Sequence, residues 1–502
     1  MNTQMKTLMY QRIFNPGICR ILFASFLSAL CLIALSTQAA TITVINTNDS
    51  GAGSLRQALA DTNDGDTIDF AVTGTITLTT DELLVDKSIT ISGPGSDNLT
   101  VDGNHASRVF HVSSGVTATV AGLSITNGGE VPGAGGGIYN DHSTLAIDHC
   151  TVSGNHGSVG GGVYNDGYSG TATLTVTNST FSGNSVGAPY MVGSGGGIYN
   201  NASYGSATLT VANSTFSGNS AGYLDYGWGG AIYNDGSLGS ATLTLNNSTF
   251  GGNSAGYHGG GIYNGSGMVT IRHTILNAGA LGENLFNAYG SVSSLGYNLS
   301  SDNGGGFLTA TGDQINTDPM LGPLQDNGGS TFTHALLSGS PAIDAGDPNF
   351  NPNSFNPPMV YDQRGTGFNR VVNGRIDIGA FEVQAVPSPY AGQVQQPINA
   401  DGSSVFSVRR GVVPVKFTLT QGGVATCDLP PATIAVSRTA GGTTGQIDES
   451  VYSGSADTGS NFRIDSCQYI YNLSASALGV GTYRVDIQID SQVVGSGIFQ
   501  LK

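Results

Sequence analysis

One short pattern returns along the middle of this chain. GGGIYN, or a close variant of it, is centred on Tyr139, Tyr164, Tyr199, Tyr233 and Tyr263. Between these copies lies a second element: HCTVSGN ending at Asn155, NSTFSGN ending at Asn184 and again at Asn219, and NSTFGGN ending at Asn253. The tyrosines are 25, 35, 34 and 30 residues apart, so a fixed unit carries insertions of varying length. Self-similarity at such a period marks stacked units, none of which buries its apolar face alone.

Each unit reads as β-strand. Leu174, Val176 and Phe181 return as Leu209, Val211 and Phe216, and then as Leu243, Leu245 and Phe250; the first copy has Leu145, Ile147 and Val152. In the LTV strings Leu and Val fall on one face and Thr on the other, a period of two. No sustained 3.6-residue period stands outside the first forty residues. Parallel stacking at ~4.8 Å per coil sets like residues above one another, and predicts a tyrosine ladder, a phenylalanine ladder and an asparagine ladder. Asn155, Asn184, Asn219 and Asn253 each follow Gly and are expected to form a turn ladder, since Asn tolerates left-handed backbone and shares amide hydrogen bonds along a stack. The paired glycines before Ile-Tyr suit a sharp corner or a close backbone approach. Strings such as TITLTT, SITISG and LTVDG before residue 127 read as earlier, less regular coils.

Composition supports this reading. The chain has 502 residues, 76 of them glycine, and only 10% are charged. Average usage is ~7% Gly and ~25% charged, so tight turns and uncharged, stackable side chains dominate. Residues 1–40 stand apart: Lys6, Arg12 and Arg20 precede a largely apolar run from Ile21 to Leu35 and then STQAA. This reads as a secretory signal peptide cut after Ala39 or Ala40. No transmembrane segment is expected in the mature chain. Losing those three positive charges takes the formal charge from −17 to −20. An acidic chain lacks the basic patches that nucleic acid or an anionic membrane requires. Export permits disulfides, and Cys427 and Cys467 are expected to pair, while Cys150 stands alone.

The GGGI and FSGN motifs resemble the repeats of chlamydial polymorphic outer-membrane proteins and related bacterial β-helix proteins. GSLRQAL at Gly53 to Leu59, followed by DGDTIDF, resembles the first coil of large secreted β-helix proteins. Residues Asn316 to Asp347, with DQRG at 362–365 and DIGAFE at 377–382, are similar to the choice-of-anchor Q domain, which implies closure of the helix before a surface anchor. After Val386-Pro387-Ser388-Pro389 the character changes, and PVKF at Pro414 to Phe417 with NFRIDSCQYIYNL at Asn461 to Leu473 resembles the PxKF module, a small Ig-like sandwich used for spacing or adhesion. The final GIFQLK carries no sorting motif or apolar helix, which departs from both resemblances. The expected architecture is all-β: a right-handed parallel β-helix (solenoid) over 41–315, a choice-of-anchor Q-like region over 316–385 that closes it, and an Ig-like PxKF-like sandwich over 386–502.

Chemistry on such a helix needs paired carboxylates, or Lys/Arg with calcium, gathered on one outward face. The outward column after the LTV strand is Asp148, Thr177, Ala212, Asn246 and Arg272, which holds no such set. Asp166 and Asp235 follow Tyr-Asn in the repeat and read as turn residues. His142, His149 and His156 fall seven apart, a spacing that strands do not bring together, and no Cys or carboxylate pattern completes a metal site. No catalytic residue, cofactor or metal is assigned. Thr173, Thr175 and Thr177, with Thr208, Thr210, Thr242 and Thr244, form an outward ladder spanning three coils. The expected function is that of a secreted or cell-surface adhesin on the extracellular side of the outer membrane, meeting extracellular glycans or other cell-surface partners. The alternatives are a carbohydrate-active β-helix enzyme, whose acids would come from loop residues Asp141, Asp166, Asp225 and Asp235, and a structural stalk.

Overall fold

The structure is a computed structural model, described here for residues 39–129, 133–187, 193–222, 226–355, 357–384, 390–409, 411–441, 455–489 and 492–502. All but the last two residues of the expected signal peptide lie outside these. The chain divides into two compact units, Met1–Gln384 and Ala385–Lys502.

The first unit is a right-handed parallel β-helix with three long sheets. A ten-stranded threonine sheet contains Thr144–Asp148, Thr171–Thr177, Ser206–Ala212, Ser240–Asn246 and Met268–Arg272. An eight-stranded tyrosine sheet contains Ile138–Asp141, Val163–Asp166, Ile198–Asn201, Ile232–Asp235 and Ile262–Asn264. The third, FSGN sheet contains Thr151–Ser153, Thr180–Ser182, Thr215–Ser217 and Thr249–Ala255. Register follows the repeat: Leu145, Leu174, Leu209, Leu243 and Val269 are successive partners, and so are the five repeat tyrosines.

Alternation turns every second residue of these strands inward, and the inward Leu, Val, Ile and Phe of all coils join in one continuous core. Phe181, Phe216 and Phe250 stack at ring separations of 4.8 and 4.9 Å, each pair adding ~0.5–1.5 kcal/mol beyond its buried area. At the corner after the FSGN strand, Asn155, Asn184, Asn219 and Asn253 form a fully enclosed ladder. Each Nδ2 donates to the next Oδ1 at 2.9 Å, and each backbone N–H donates to that same oxygen at 3.0–3.1 Å. Their backbone differs from the expectation. The left-handed position is held by the preceding Gly154, Gly183, Gly218 and Gly252, with φ near +60°, and the asparagines are buried amides rather than left-handed turn residues.

A second asparagine ladder joins Asn140, Asn165, Asn200, Asn234, Asn264 and Asn287 inside the other corner, with Nδ2–Oδ1 distances of 2.6–2.9 Å. The sequence reading missed it, although the Asn of IYN returns in every copy. The paired glycines answer to crowding. A Cβ on Gly196 would lie 2.4 Å from the Ser220 carbonyl oxygen and 2.5 Å from that of Gly230.

Helix α1, Leu55–Asp61, covers the first coils with Leu55, Ala58 and Leu59, and is capped by Ser54, whose hydroxyl accepts from Gln57 N–H. At the far end Leu308 is part of the same core and Phe307 packs against it. The segment expected to close the helix does something else. From residue 319 to 384 the chain runs back along the FSGN sheet and roofs its outward column. Thr180 Oγ1 donates to Phe332 O at 2.6 Å, Thr215 Oγ1 to Gln363 Oε1 at 2.6 Å, and Ala380 N to Thr249 Oγ1 at 2.9 Å. Ser96 donates to Ser330 O, and Arg272 pairs with Asp347 at 2.8 Å. The DQRG and DIGAFE motifs build the ionic interior of this roof. Arg364 and Asp362 form a buried pair at 2.6 Å, and Glu382 accepts from the N–H of Asp377 and of Val372.

The second unit is a two-sheet sandwich. One sheet holds Tyr390–Gln395, Val412–Gln421, Gln468–Ser474, Arg463–Asp465 and Val424–Thr426, all antiparallel; the other holds Val405–Phe406, Gln492–Leu501, Gly481–Ile489 and Thr433–Ala440. Phe406, Phe417, Tyr469, Val485 and Phe499 fill the layer between them. Cys427 and Cys467 are joined in a disulfide.

Candidate functional site

The threonine sheet carries the outward positions of greatest regularity. Thr173, Thr208 and Thr242 are register partners, but the column also includes Thr144 and Thr117, so it spans five coils rather than three. The neighbouring column of Thr175, Thr210, Thr244 and Thr270 runs beside it. The third column is Asp148, Thr177, Ala212, Asn246 and Arg272, as the sequence implies.

Part of this face is walled. Phe355 and the stretch Pro357–Thr366 rise beside it and border a cleft of about 280 Å³. Its floor includes Thr175, Thr177, Thr210 and Asn246; Phe355, Pro357, Met359 and Tyr361 stand on the wall. Asn213 ties wall to floor by donating to Tyr361 O at 3.2 Å and to Asn178 Oδ1 at 2.8 Å. At one end Asp148 accepts from Thr177 Oγ1 and Asn178 Nδ2 and meets His149 Nδ1 at 2.9 Å. Burial raises the pKa of the Asp148 carboxyl, but His149 and these hydrogen bonds outweigh it and hold the group below its ordinary value.

The tyrosine sheet presents a different surface. Its rings stack at centroid distances of 4.8–5.6 Å from Tyr139 through Tyr164, Tyr199 and Tyr233 to Tyr263, with His111 added before the first and Phe286 after the last. Three of the five hydroxyls are tied down. Tyr139 donates to Asp166 Oδ2 at 2.8 Å and Tyr199 to Asp235 Oδ2 at 2.9 Å, while Tyr164 accepts from Asn201 Nδ2 at 2.6 Å. Asp166 and Asp235 also close turns, by accepting from Tyr168 N–H and Ser237 N–H. Desolvation, with the adjacent carboxylates, pushes all five tyrosine hydroxyls upward in pKa. All five are neutral, and those of Tyr139, Tyr164 and Tyr199 carry the hydrogen bonds of the ladder.

Where this sheet meets the early coils, charged groups collect that the sequence reading did not bring together. Glu82 holds Arg108 Nη1 at 2.8 Å and His111 Nδ1 at 2.9 Å. The His111 hydrogen bond and the Arg108 charge keep the Glu82 carboxyl below its usual range despite burial. Arg108 also lies 4.9 Å from the Tyr139 ring centroid. His111 Nε2, buried and without a hydrogen bond, is 3.8 Å from Asp141 Oδ2. Asp141, His142 and Asp166 each bring one ligating atom within 4.8 Å of the others. The sequence shows no Cys or carboxylate pattern that completes a metal site with the histidines; the structure does set two carboxylates beside His142, Asp141 from the adjacent chain position and Asp166 from the next coil. His142 already uses both ring nitrogens, on Asp141 Oδ1 and on Tyr168 O, and Asp166 uses both oxygens. The bond to Asp141, then that to Tyr168, raises the His142 pKa. This is the chemistry of an ion-paired corner.

The three histidines spaced by seven do not converge: His149 pairs with Asp148, and His156 Nδ1 meets Ser185 Oγ at 2.9 Å. Cys150 takes the place of Ser179, whose hydroxyl accepts from Cys150 N–H, and burial pushes its thiol up to about 12. Asp225 lies outside the described residues.

Residues 213–235 match the Chlamydia polymorphic membrane protein repeat. That stretch runs from the FSGN strand Thr215–Ser217 through the tyrosine strand Ile232–Asp235. No curated protein matches the chain. Among the described residues no helix is long and apolar enough to cross a membrane.

Proposed function

We propose that this chain is an exported, non-enzymatic β-helix protein that works at the cell surface or after secretion, where it meets glycans or other cell-surface partners. The observation that carries this reading is the repeat itself: the polymorphic membrane protein repeat lies in a solenoid whose outward threonines recur on successive coils. A rigid, acidic rod of this kind offers many equivalent contacts to an extended or repetitive partner. The basic and apolar start of the chain supports export, and the disulfide in the C-terminal sandwich suits an oxidising compartment. That sandwich, Ig-like in our reading, serves as a spacer or adhesive module. Protease shaving and fractionation of the producing cell test the location; binding of the purified chain to glycans and to cells tests the role. A cytoplasmic protein, or one that binds neither, overturns the reading.

One observation favours a carbohydrate-active enzyme instead, namely the gathering of Glu82, Arg108, His111, Asp141 and Asp166 on one face. Release of oligosaccharides from polysaccharide, abolished in Asp141→Asn and His111→Ala, would establish that second reading in place of the first.

A further inference from the structure

We propose that the cleft between the threonine sheet and the wall formed by Phe355 and Pro357–Thr366 binds an uncharged glycan. This rests on the surface-binding role above and names its site and ligand class. The argument begins with what the floor offers. Thr175, Thr210 and Asn246 make no side-chain hydrogen bond among the described residues, yet all three line the cleft. Thr175 and Thr210 are register partners on adjacent strands, so two hydroxyls repeat at the strand spacing of ~4.8 Å. That step is close to the advance of one pyranose ring along an extended glycan. Opposite them Phe355, Pro357 and Tyr361 supply flat apolar surface of the kind that packs on the C–H face of a sugar. A polar, hydroxyl-rich floor facing an apolar wall is the arrangement that fixes a ligand with one polar edge and one apolar face. At about 280 Å³ the cleft falls just under the ~300–1,000 Å³ of ordinary ligand pockets, so it seats a short stretch or the end of a chain.

Charge selects among glycans. Of the described residues lining the cleft only His149 can become positive, and it faces Asp148. Asp362 lies on the wall side and is paired with Arg364. An anionic sugar would meet carboxylates without a free cation. A peptide strand is also disfavoured. Strand addition requires an unpaired sheet edge, and the strands of the floor are bonded on both sides by their neighbouring coils.

The test uses the full purified chain on an array of neutral, uronic and sialylated oligosaccharides, with a peptide array in parallel. Calorimetry with the best neutral oligosaccharide then compares Thr210→Arg, which fills the floor, Tyr361→Ala, which removes part of the wall, and Thr117→Arg, on the same sheet but outside the cleft. Thermal melts establish that each variant is folded. The expected result is neutral-glycan binding weakened at least tenfold by each cleft substitution and unchanged by Thr117→Arg. Neutral-glycan binding that both cleft variants retain overturns the site and leaves the surface-binding role standing. Binding confined to anionic glycans or peptides overturns the ligand class. Cell binding without any glycan binding sinks the cleft proposal alone, whereas loss of both sinks the proposal and the role together.

Discussion

Replacing Asn219 by alanine removes a side chain that serves two coils at once. Its Oδ1 accepts from Asn184 N–H at 3.1 Å and from Asn184 Nδ2 at 2.9 Å. Its Nδ2 donates to Phe181 O and to Asn253 Oδ1, both at 2.9 Å. Asn253 Oδ1 keeps a donor in Asn219 N–H, so the groups left bare are the two Asn184 donors and, in part, the Phe181 carbonyl. Asn219 is fully buried, and water does not replace what is lost. At ~1–3 kcal/mol for each of the two bared donors, the loss is roughly 2–6 kcal/mol before any cavity term. Because coils contact chiefly their neighbours, the loss acts locally, and hydrogen exchange in the native state is the suitable assay. Protection of amides at 181–184, 216–219 and 250–253 should fall by at least ~25-fold, since each ~1.4 kcal/mol is a factor of ten. Amides at 67–70 and 90–92 should not change. A drop of less than about fivefold, or an equal drop at both places, would refute the view that the buried amides hold adjacent coils together.

Three further outcomes follow from other parts of the molecule. Burial lifts Glu382 to about 9 and Asp377 to about 6. Both values lie above those of the unfolded chain, so their contribution is complete below ~4 and is lost as pH rises through the folded values. Protection factors over 362–382 should therefore be higher at pH 5 than at pH 9, and Glu382→Gln should flatten that slope. Phe216→Ala empties the middle of a three-ring stack and should cost ~3–5 kcal/mol, measured by denaturant unfolding beside an exposed-site control. Reducing the Cys427–Cys467 bridge, which spans 40 residues, should destabilise the C-terminal sandwich by about 4 kcal/mol on the chain-entropy model. Calorimetry should show that transition move while the transition of the β-helix stays in place.

The parts of the fold that were legible in the sequence are those where one coil repeats the next. Leu174, Leu209 and Leu243, the repeat tyrosines and the FSGN asparagines had to lie in register, because period-two strands of fixed content stack in only one way that buries their apolar face. The Asn of IYN carries the same signal; it faces inward beside an outward tyrosine, a place where an amide is expected only if a ladder satisfies it. The Glu82, Arg108 and His111 group was harder to see. His111 occupies the tyrosine column as the partner of Tyr139, but its coil lacks the GGGIYN string. Aligning Phe110-His111-Val112 with Ile138-Tyr139-Asn140 would have placed it. The course of residues 319–384 was not legible at all. Its bonds to Thr180, Thr215 and Thr249 join a non-repeating segment to repeating ones, and no periodicity records such pairings.

That roof limits how the protein can vary in length. A bare stack of like coils tolerates gaining or losing one, because each new interface copies an old one. Here Ser330, Phe332, Gln363 and Ala380 are fixed to particular coils between Ser96 and Thr249. One extra coil in that interval would carry everything beyond it ~4.8 Å out of step, leaving Gln363, which bonds to both Thr180 and Thr215, and Ala380 N–H, which donates to Thr249, opposite the wrong partners. The next coil is fixed too, since Arg272 and His273 hold Asp347 and Gly379 N–H donates to His273 O at 2.9 Å, whereas among the described residues no hydrogen bond ties the segment to a coil before Ser96. The segment behaves as a ruler, so duplication or deletion of repeats is expected to be tolerated before Ser96 and selected against between Ser96 and His273.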